Sequence, residues 1–279
     1  MSEIQIMSNI RFSFSFYLLL ISFRLFSQEI ELGGALGVLN YTGDLSPYPH
    51  PLFFRPGGEI MVLYNFNNIH SVKANVLSGY ITAFDDQFNE PFRVRRNLHF
   101  RSLIIESGVQ YQYNFLEFKN GKNTWSFSPF LFVGLAYFHH NPTAEYNGKW
   151  VELQELKTEG QEQPGNLKRP YSLSGTCIPF GIGFKYSVST RINLNIEMGA
   201  RKTFTDYLDD VSGFYYNNSG LGDPARYLAD RSNELPEYEN FTNPDGSQRG
   251  NPKKDDWYYF LSVGLSYIFY WPKCPTFML

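Results

Sequence analysis

Three aspartates and two histidines are the residues whose types and spacing come closest to those of a metal-binding site. Asp206, Asp209 and Asp210 could suggest calcium, but they lack the alternating aspartates and the distal glutamate of a calcium-binding loop. His139 and His140 are adjacent, and adjacent residues of a strand point to opposite faces, so their rings could not hold one metal ion together. The sequence therefore predicts no metal or cofactor. The aspartates are expected to cap loops or to form hydrogen bonds within them.

Nucleophilic catalysis is not indicated either. Serine, histidine and aspartate all occur in the predicted loops, but no recognisable motif connects them. The formal net charge of −3 offers no general attraction for nucleic acid, which basic surfaces bind. We therefore expect a protein that is not an enzyme and that does not bind nucleic acid.

The first 27 residues are typical of a secretory signal peptide. The apolar stretch from Phe12 to Phe26 is interrupted by Arg24 and is followed by Ser27 and Gln28. A short membrane anchor is the alternative, but the interruption leaves fewer than the ~18 apolar residues that a spanning helix needs. We therefore expect cleavage near Ser27 and a mature chain that begins near Gln28 outside the cytoplasm.

The rest of the chain alternates apolar residues with polar residues or glycine, which is the period of a β-strand. Ile192, Leu194 and Ile196, for example, alternate with Asn193 and Asn195. The pattern occurs in eight segments: 29–41, 57–66, 71–82, 98–115, 125–138, 177–188, 191–204 and 257–270.

Two architectures produce such alternation. A soluble sandwich turns its apolar face inward, whereas a transmembrane barrel turns it toward lipid. Long linkers alternate with short ones here, which puts long loops at one end and tight turns at the other and favours the barrel. The segments also reach the ~9–11 residues of a tilted strand that crosses a bilayer. We therefore predict an all-β, eight-stranded antiparallel transmembrane β-barrel of the outer-membrane type over residues 28–270, with long extracellular loops, short periplasmic turns and a periplasmic tail over residues 271–279.

Aromatic residues make up 18% of the chain and support the same prediction. They gather at the segment ends on the apolar face, as two interfacial girdles require. The predicted girdle at the short-turn end contains Tyr64, Tyr113, Trp125, Tyr186 and Tyr267, and the one at the long-loop end contains Tyr80, Tyr137, Trp257 and Tyr259.

The interior of an eight-stranded barrel is just wide enough for side chains to fill it, so we expect no open pore. A buried charge without a partner is costly. We therefore expect ion pairs with a structural role, rather than a proton relay or a substrate path, among the charged residues predicted to face inward. These are Glu59, Lys73, Glu106, Lys185, Glu197 and Arg201.

Several stretches of the chain resemble the PorG family of Bacteroidota outer-membrane proteins. They are LGVLNYTGDL (36–45), SPFLFVGLAYFHHNP (128–142), NGKWVELQELKTEGQ (147–161), RKTFTDYLDDVSGFY (201–215) and Cys274-Pro275. The departure from the family lies in the tail, which runs on to Leu279. The resemblance implies a component of the type IX protein secretion system, an eight-stranded barrel that meets the periplasmic ring formed by the PorK lipoprotein and PorN. From the residues alone, a small barrel that modifies lipid or transports passively is the alternative.

The last segment resembles the terminal signal by which the barrel assembly machinery recognises its substrates. Its residues follow the order polar-x-Gly-x-x-aromatic-x-aromatic, with Ser262, Gly264, Tyr267 and Phe269. The same pattern also suits the last strand of a girdle, and both interpretations can hold together.

The two cysteines are predicted to lie at opposite ends of the barrel. Cys177 begins the sixth segment at the long-loop end, whereas Cys274 follows the eighth at the short-turn end. Most of a ~25 Å apolar band would separate them, far beyond the ~7 Å between Cα atoms that a disulfide tolerates. We predict that Cys274, beside Pro275, forms an intermolecular disulfide with the ring lipoprotein; a free thiol in the tail is the alternative. Without that bond, attachment would fall to the short turns around Asn67 and Lys119.

Overall fold

The computed structural model describes residues 29–119, 126–216 and 220–269. Its strands are β1 (Glu29–Thr42), β2 (Arg55–Asn65), β3 (His70–Phe84), β4 (His99–Asn114), β5 (Phe127–Tyr146), β6 (Lys149–Glu152), β7 (Ser174–Ser187), β8 (Ile192–Thr203) and β9 (Trp257–Phe269). Its short α-helices are α1 (Pro91–Arg96), α2 (Leu153–Leu156) and α3 (Ala225–Ala229). In the part of the chain that is described, no helix is long and apolar enough to cross a membrane. The predicted signal peptide and tail lie outside the described residues.

Eight of the strands close into a ring of antiparallel neighbours in the order β1–β2–β3–β4–β5–β7–β8–β9. The first and last strands complete the ring, pairing from Ile30 opposite Phe269 to Thr42 opposite Trp257. Every ring strand therefore has two neighbours, which is how a sheet satisfies its backbone within lipid. β6 lies outside the ring and pairs with the outer end of β5. The predicted eight-stranded antiparallel barrel is confirmed.

β5 is longer than its sequence pattern predicted. The apolar alternation ends at Phe138, but the strand continues to Tyr146. Its outer end pairs with β4 on one side and with β6 on the other, from Thr143 opposite Glu152 to Tyr146 opposite Lys149. Backbone pairing, which the alternation of one segment cannot reveal, thus extends the sheet above the lipid-facing part of the barrel.

The outward face of the ring is a band of exposed apolar side chains. Leu36 is 78% exposed, Leu135 72% and Ile60 65%. A soluble monomer rarely exposes an apolar patch larger than a few hundred Å², whereas lipid tails cover a band of this kind. The band is therefore the membrane-facing surface of the barrel.

Aromatic side chains flank the band at both ends. Tyr113 and Tyr267 face outward near the short turns, and Tyr80 and Tyr137 face outward near the long loops. Trp125, which was predicted for the short-turn girdle, lies outside the described residues. The band and its girdles place the barrel across a bilayer, and barrels of this kind span the outer membrane of bacteria.

The longest connections lie at the outer end of the barrel, as the sequence predicted. Two of the periplasmic connections, over residues 66–69 and 188–191, are tight turns, and the third covers residues 115–126 and is as long as the shortest outer one. The outer ones are long and cover residues 43–54, 85–98, 147–173 and 204–256. The four long connections fold over the outer mouth of the barrel, and together they are called the cap below.

Candidate functional site

The inside of the barrel consists of two halves with different chemistry. The half near the short turns, called the polar half, holds buried charged and amide side chains, among them Glu31, Glu59, Lys73, Glu106, Gln110, Gln112, Lys185, Asn193, Asn195, Glu197 and Arg201. The half near the cap, called the apolar half, is filled by Leu39, Leu77, Ile81, Phe100, Ile104, Phe138 and Phe260.

Lys73 is the centre of the polar half. Its Nζ lies 3.2 Å from Glu59 Oε1 and 2.6 Å from Glu197 Oε2, and the three side chains are at most 7% exposed. Within the described residues, neither oxygen of Glu59 receives a hydrogen bond, although the ammonium group is adjacent. One cation therefore compensates two buried carboxylates, and its removal would leave both without a partner.

Arg201 and Lys185 hold two further carboxylates. Arg201 Nε donates to Glu106 Oε2 at 3.2 Å, and Lys185 Nζ lies 3.3 Å from Glu31 Oε1. The structure thus places in buried ion pairs all of the charged residues that the sequence assigned to the lumen, namely Glu59, Lys73, Glu106, Lys185, Glu197 and Arg201.

Glu31 is the lumen residue that the sequence reasoning missed. Besides the contact with Lys185, its carboxylate accepts hydrogen bonds from Asn65 Nδ2 at 2.7 Å, Ser266 Oγ at 2.6 Å and Asn193 Nδ2 at 3.2 Å. The alternation in the first segment already placed Glu31 on the inward face, so the signal was present. With Glu31 included, the ion pairs of the described lumen contain four carboxylates and three cations.

Several amide atoms of the polar half have no hydrogen-bond partner among the described residues. A buried polar atom in this situation costs about 1–3 kcal/mol when it is dry. Folded proteins satisfy such atoms with water, so the polar half has the composition of a hydrated compartment. The atoms are Gln110 Oε1, Gln112 Oε1 and Nε2, Asn114 Oδ1, Asn193 Oδ1 and Asn195 Oδ1.

Tyr258 marks the boundary between the two halves. Its hydroxyl donates to Glu106 Oε2 at 2.7 Å and lies 3.4 Å from the thiol sulfur of Cys177. Cys177 is buried and unpaired, and it is the fourth residue of β7 rather than the first as predicted, because pairing with β5 begins at Ser174. On the cap side of Tyr258, the ring of Phe138 lies 6.0 Å away and begins the apolar filling.

Two fully buried arginines hold the cap together. Arg96 of α1 donates through Nε and Nη2 to the two oxygens of Asp85, each at 2.7 Å, and also donates to the carbonyls of Asp44 and Arg249. Arg249 in turn lies 3.3 Å from Glu159 Oε1. All four long connections are therefore joined by charged contacts that are shielded from water.

Glu159 is the best-satisfied carboxylate of the cap. It accepts hydrogen bonds from the backbone N–H groups of Ser212 and Gly213, both at 2.9 Å, and contacts Arg249 and Lys168. Burial raises the pKa of Glu159, but the two cations and these hydrogen bonds outweigh that effect and lower the pKa below its usual value. Glu159 is thus a structural anion that anchors the loop between β8 and β9.

The three aspartates singled out in the sequence divide into two groups. Asp209 accepts hydrogen bonds from the Tyr41 hydroxyl and from two backbone N–H groups, and Asp210 accepts from Thr158 and Tyr171, so both have the predicted hydrogen-bonding role. Asp206 departs from the prediction, since neither of its oxygens has a hydrogen-bond partner among the described residues. In the described ranges, no group of acidic, histidine or cysteine side chains could hold a metal ion.

His139 and His140 point to opposite faces, as expected for neighbours in a strand. His139 is exposed and lies 3.0 Å from Ser174 Oγ, whereas His140 is buried and lies 3.2 Å from the carbonyl of Tyr207. They are inside β5 rather than at its end, because β5 continues to Tyr146.

The residues predicted to meet a partner lie at the short-turn end or beyond the described chain. Asn67 Oδ1 accepts hydrogen bonds from the backbone N–H groups of Ile69 and His70, which shapes the turn between β2 and β3. Lys119 is exposed, and its Nζ lies 2.8 Å from Glu117. The structure does not bring Asn67 and Lys119 into contact. Cys274 and Pro275 lie outside the described residues.

The residues of the predicted insertion signal share β9 but face opposite sides. Ser262 and Gly264 point into the barrel, whereas Tyr267 and Phe269 point outward with their ring centres 5.0 Å apart. A Cβ at Gly264 would lie 2.6 Å from the Cβ of Ala35, so the close approach of β1 and β9 requires glycine there.

Solved outer-membrane proteins are similar to most of the chain at low sequence identity. Neisserial surface protein A is 10% identical, with a TM-score of 0.41 over 87% of this chain and 97% of that one. OprG from Pseudomonas aeruginosa is 13% identical, with a TM-score of 0.40 over 88% and 97%. Ail from Yersinia pestis, in complex with the heparin analogue sucrose octasulfate, is 11% identical, with a TM-score of 0.38 over 87% and 97%. No curated protein matches the chain.

A family model matches the greater part of the chain. It covers residues 10–222, which include β1 to β8, and it is described as a domain of unknown function. The chain therefore belongs to the DUF6089 family.

Proposed function

We propose that this chain is a non-catalytic outer-membrane component of the type IX protein secretion machinery that contacts a periplasmic ring of PorK-like lipoprotein and PorN-like protein. The proposal rests first on the stretches that resemble the PorG family. Three of them lie in β1, β5 and the start of the loop after β8, and a fourth forms β6 and α2.

The filled interior is the structural observation that best supports a scaffold. Ion pairs occupy the polar half, and fully buried side chains such as Phe100, Phe138 and Ile104 occupy the apolar half. The cap packs on the apolar half through Leu208 and Val211. A barrel filled in this way is better suited to anchoring a complex than to passive transport.

The short turns supply the surface that a periplasmic partner would meet. Asn67 and Lys119 are exposed in separate turns at that end, and the outward rings of Tyr113 and Tyr267 mark the adjacent membrane boundary. A ring that presses against the inner side of the outer membrane would contact these turns and the tail.

Deletion of the gene tests the proposal most directly. We expect loss of secreted cargo from the culture medium, with normal levels of unrelated outer-membrane proteins. Affinity purification of the detergent-solubilised chain should retain the ring lipoprotein. Normal secretion together with a chain that purifies alone and alters lipid A would contradict the scaffold and favour a lipid-modifying barrel.

Cysteine variants test the covalent contact separately. If Cys274 bonds to the ring lipoprotein, non-reducing gels of outer membranes should show a band of higher mass that disappears with reductant. We expect Cys274→Ser to abolish that band and Cys177→Ser, whose thiol is buried in the barrel, to retain it. If Cys274→Ser behaves as wild type, attachment must come from the turns; Lys119→Glu should then weaken capture of the ring, while the outer-loop control Lys253→Glu should not.

A further inference from the structure

Four carboxyl groups gather at the outer mouth of the barrel without a cation in contact. Asp44 follows β1, Asp206 and Asp209 follow β8, and Asp256 precedes β9. Among the described residues, none of the four has a salt-bridge partner, whereas the buried Asp85 of the cap is paired with Arg96. This set of Asp44, Asp206, Asp209 and Asp256 is called the carboxyl cluster below.

The two contacts of the Tyr41 hydroxyl are best satisfied when one carboxyl group of the cluster carries a proton. Its hydroxyl lies 2.6 Å from Asp209 Oδ2 and 3.1 Å from Asp256 Oδ1. A phenol has one proton, so it can donate to only one of these oxygens. The second contact becomes a hydrogen bond when the Asp256 carboxyl is protonated and donates to the Tyr41 oxygen. An added Cβ at Gly43 would lie 1.8 Å from Asp256 Oδ1, so the pair is tightly enclosed.

Asp206 adds a second, independent sign of bound protons. It is 8% exposed, and neither of its oxygens has a hydrogen-bond partner in the described chain. Burial, then the charges of Asp44 and Asp209, raise its pKa to about 9. Burial and Asp44 raise the pKa of Asp209 to about 7, and burial raises that of Asp256 well above its usual value.

The carboxyl oxygens of the cluster are already partly occupied, which disfavours a metal ion as the balancing charge. Backbone N–H groups already donate to three of its members: Asn251 to Asp44, Leu45 and Val211 to Asp209, and Leu208 to Asp256. The other titratable or charged groups that face it are Tyr41 of β1, Arg93 and Arg96 of α1, and Glu159. Arg96 and Glu159 are committed to the ion pairs described above.

We propose that the carboxyl cluster is a proton-held latch that keeps residues 206–213, called the mouth segment, seated in the outer end of the barrel. Leu208 and Val211 of this segment are fully buried against the apolar half, in the same core as Tyr41 and Phe100. Ionisation of the cluster places like charges in this closed space and releases the segment. The outer mouth of the barrel then responds to the pH of the exterior.

The direction of the pH response follows from proton binding. The seated state holds protons that the released state gives up at the ordinary carboxyl pKa of about 4. The latch is therefore at full strength below about pH 4, and it weakens as the pH rises through the raised values of about 7 and about 9. Between the pKa of the released state and that of the seated state, each retained proton lowers the ratio of seated to released molecules ~tenfold per pH unit.

Hydrogen–deuterium exchange of the full chain in lipid nanodiscs measures this response. After correction for the intrinsic exchange rate, protection of the mouth segment should fall at least ~tenfold per pH unit between about pH 6 and pH 8. Asp206→Asn, which cannot ionise, should reduce that slope by about one proton. Asp245→Asn, the same change at an exposed site of the same loop, should leave the slope as in wild type.

Three results would overturn the latch. The first is a protection that does not depend on pH. The second is a slope that Asp206→Asn leaves unchanged while a gel-shift assay shows the barrel folded. The third is protection at alkaline pH that millimolar Ca²⁺ restores and a chelator removes, which would assign the carboxyl cluster to a metal ion.

Discussion

The polar half and the apolar half of the barrel are built by the same strands but are stabilised in opposite ways. In the polar half, Lys73 and Arg201 compensate buried carboxylates, and several amide atoms have no partner among the described residues. In the apolar half, side chains such as Phe138 and Ile104 pack without exposure and continue into the core of the cap. Short turns close one half, and folded loops close the other.

The difference shows how a barrel with an apolar exterior can still hold the folded cap at its outer end. Lipid covers the outside of the barrel, so the inward face is free to differ from one end to the other. The apolar half gives the cap a hydrophobic core to pack on, as the shared burial of Leu45 and Phe100 shows. The polar half fixes the position of the strands through charge pairs, whose partners come from strands far apart in sequence.

The largest effect is expected from Lys73→Met in the polar half. The variant leaves Glu59 and Glu197 buried without their shared cation, and we expect the free energy of unfolding to fall by about 3–5 kcal/mol. Urea unfolding in lipid vesicles, followed by gel shift, measures the change.

A combined variant checks the cause of that loss. Lys73→Met together with Glu59→Gln and Glu197→Gln removes the unpaired charges and should recover most of the stability. If Lys73→Met alone is as stable as wild type, water compensates the carboxylates, and the polar half does not depend on its ion pairs.

The next effect concerns the wall that both halves share. Gly264→Asp would force a side chain against Ala35, and Phe269→Lys would put a charge on the lipid face, at a cost of up to ~2–4 kcal/mol at the bilayer midplane and less toward the interface. Both should lower the amount of protein in the outer membrane, measured by fractionation and immunoblot. Phe269→Tyr, which keeps the aromatic ring, is the matched control and should insert normally; normal insertion of both test variants would contradict the roles of these residues in β9.

The barrel could be predicted from the sequence because its signals are local. Alternation along each segment fixes which face a residue occupies, and this placed the charged lumen residues inside, with Glu31 overlooked although its position followed the same rule. The cap could not be predicted in this way. Arg96 donates to the carbonyl of Arg249, 153 residues away, and the unpartnered carboxyl of Asp206 is created by loops that meet only after folding.

A smaller loss of stability is expected from a variant that changes packing in the apolar half without changing its charge. Ile104→Val removes one methylene from the apolar half, and we expect a loss of about 0.5–1.5 kcal/mol from the transfer and cavity terms. Because Ile104 packs in the core that also holds cap residues, the exchange protection of the cap should fall as well. A loss confined to the cap, with unchanged unfolding of the barrel, would show that the apolar half serves the cap alone.

The smallest effect is expected from Gln112→Leu in the polar half. Both polar atoms of Gln112 lack a partner among the described residues, so leucine removes buried polar atoms without breaking a hydrogen bond of the protein. Replacing such a group with an apolar one of similar shape is close to neutral, and we expect unfolding within ~1 kcal/mol of wild type. The same vesicle assay measures it. A loss as large as that of Lys73→Met would mean that Gln112 holds ordered water essential to the polar half, and that amides as well as ion pairs stabilise that end of the barrel.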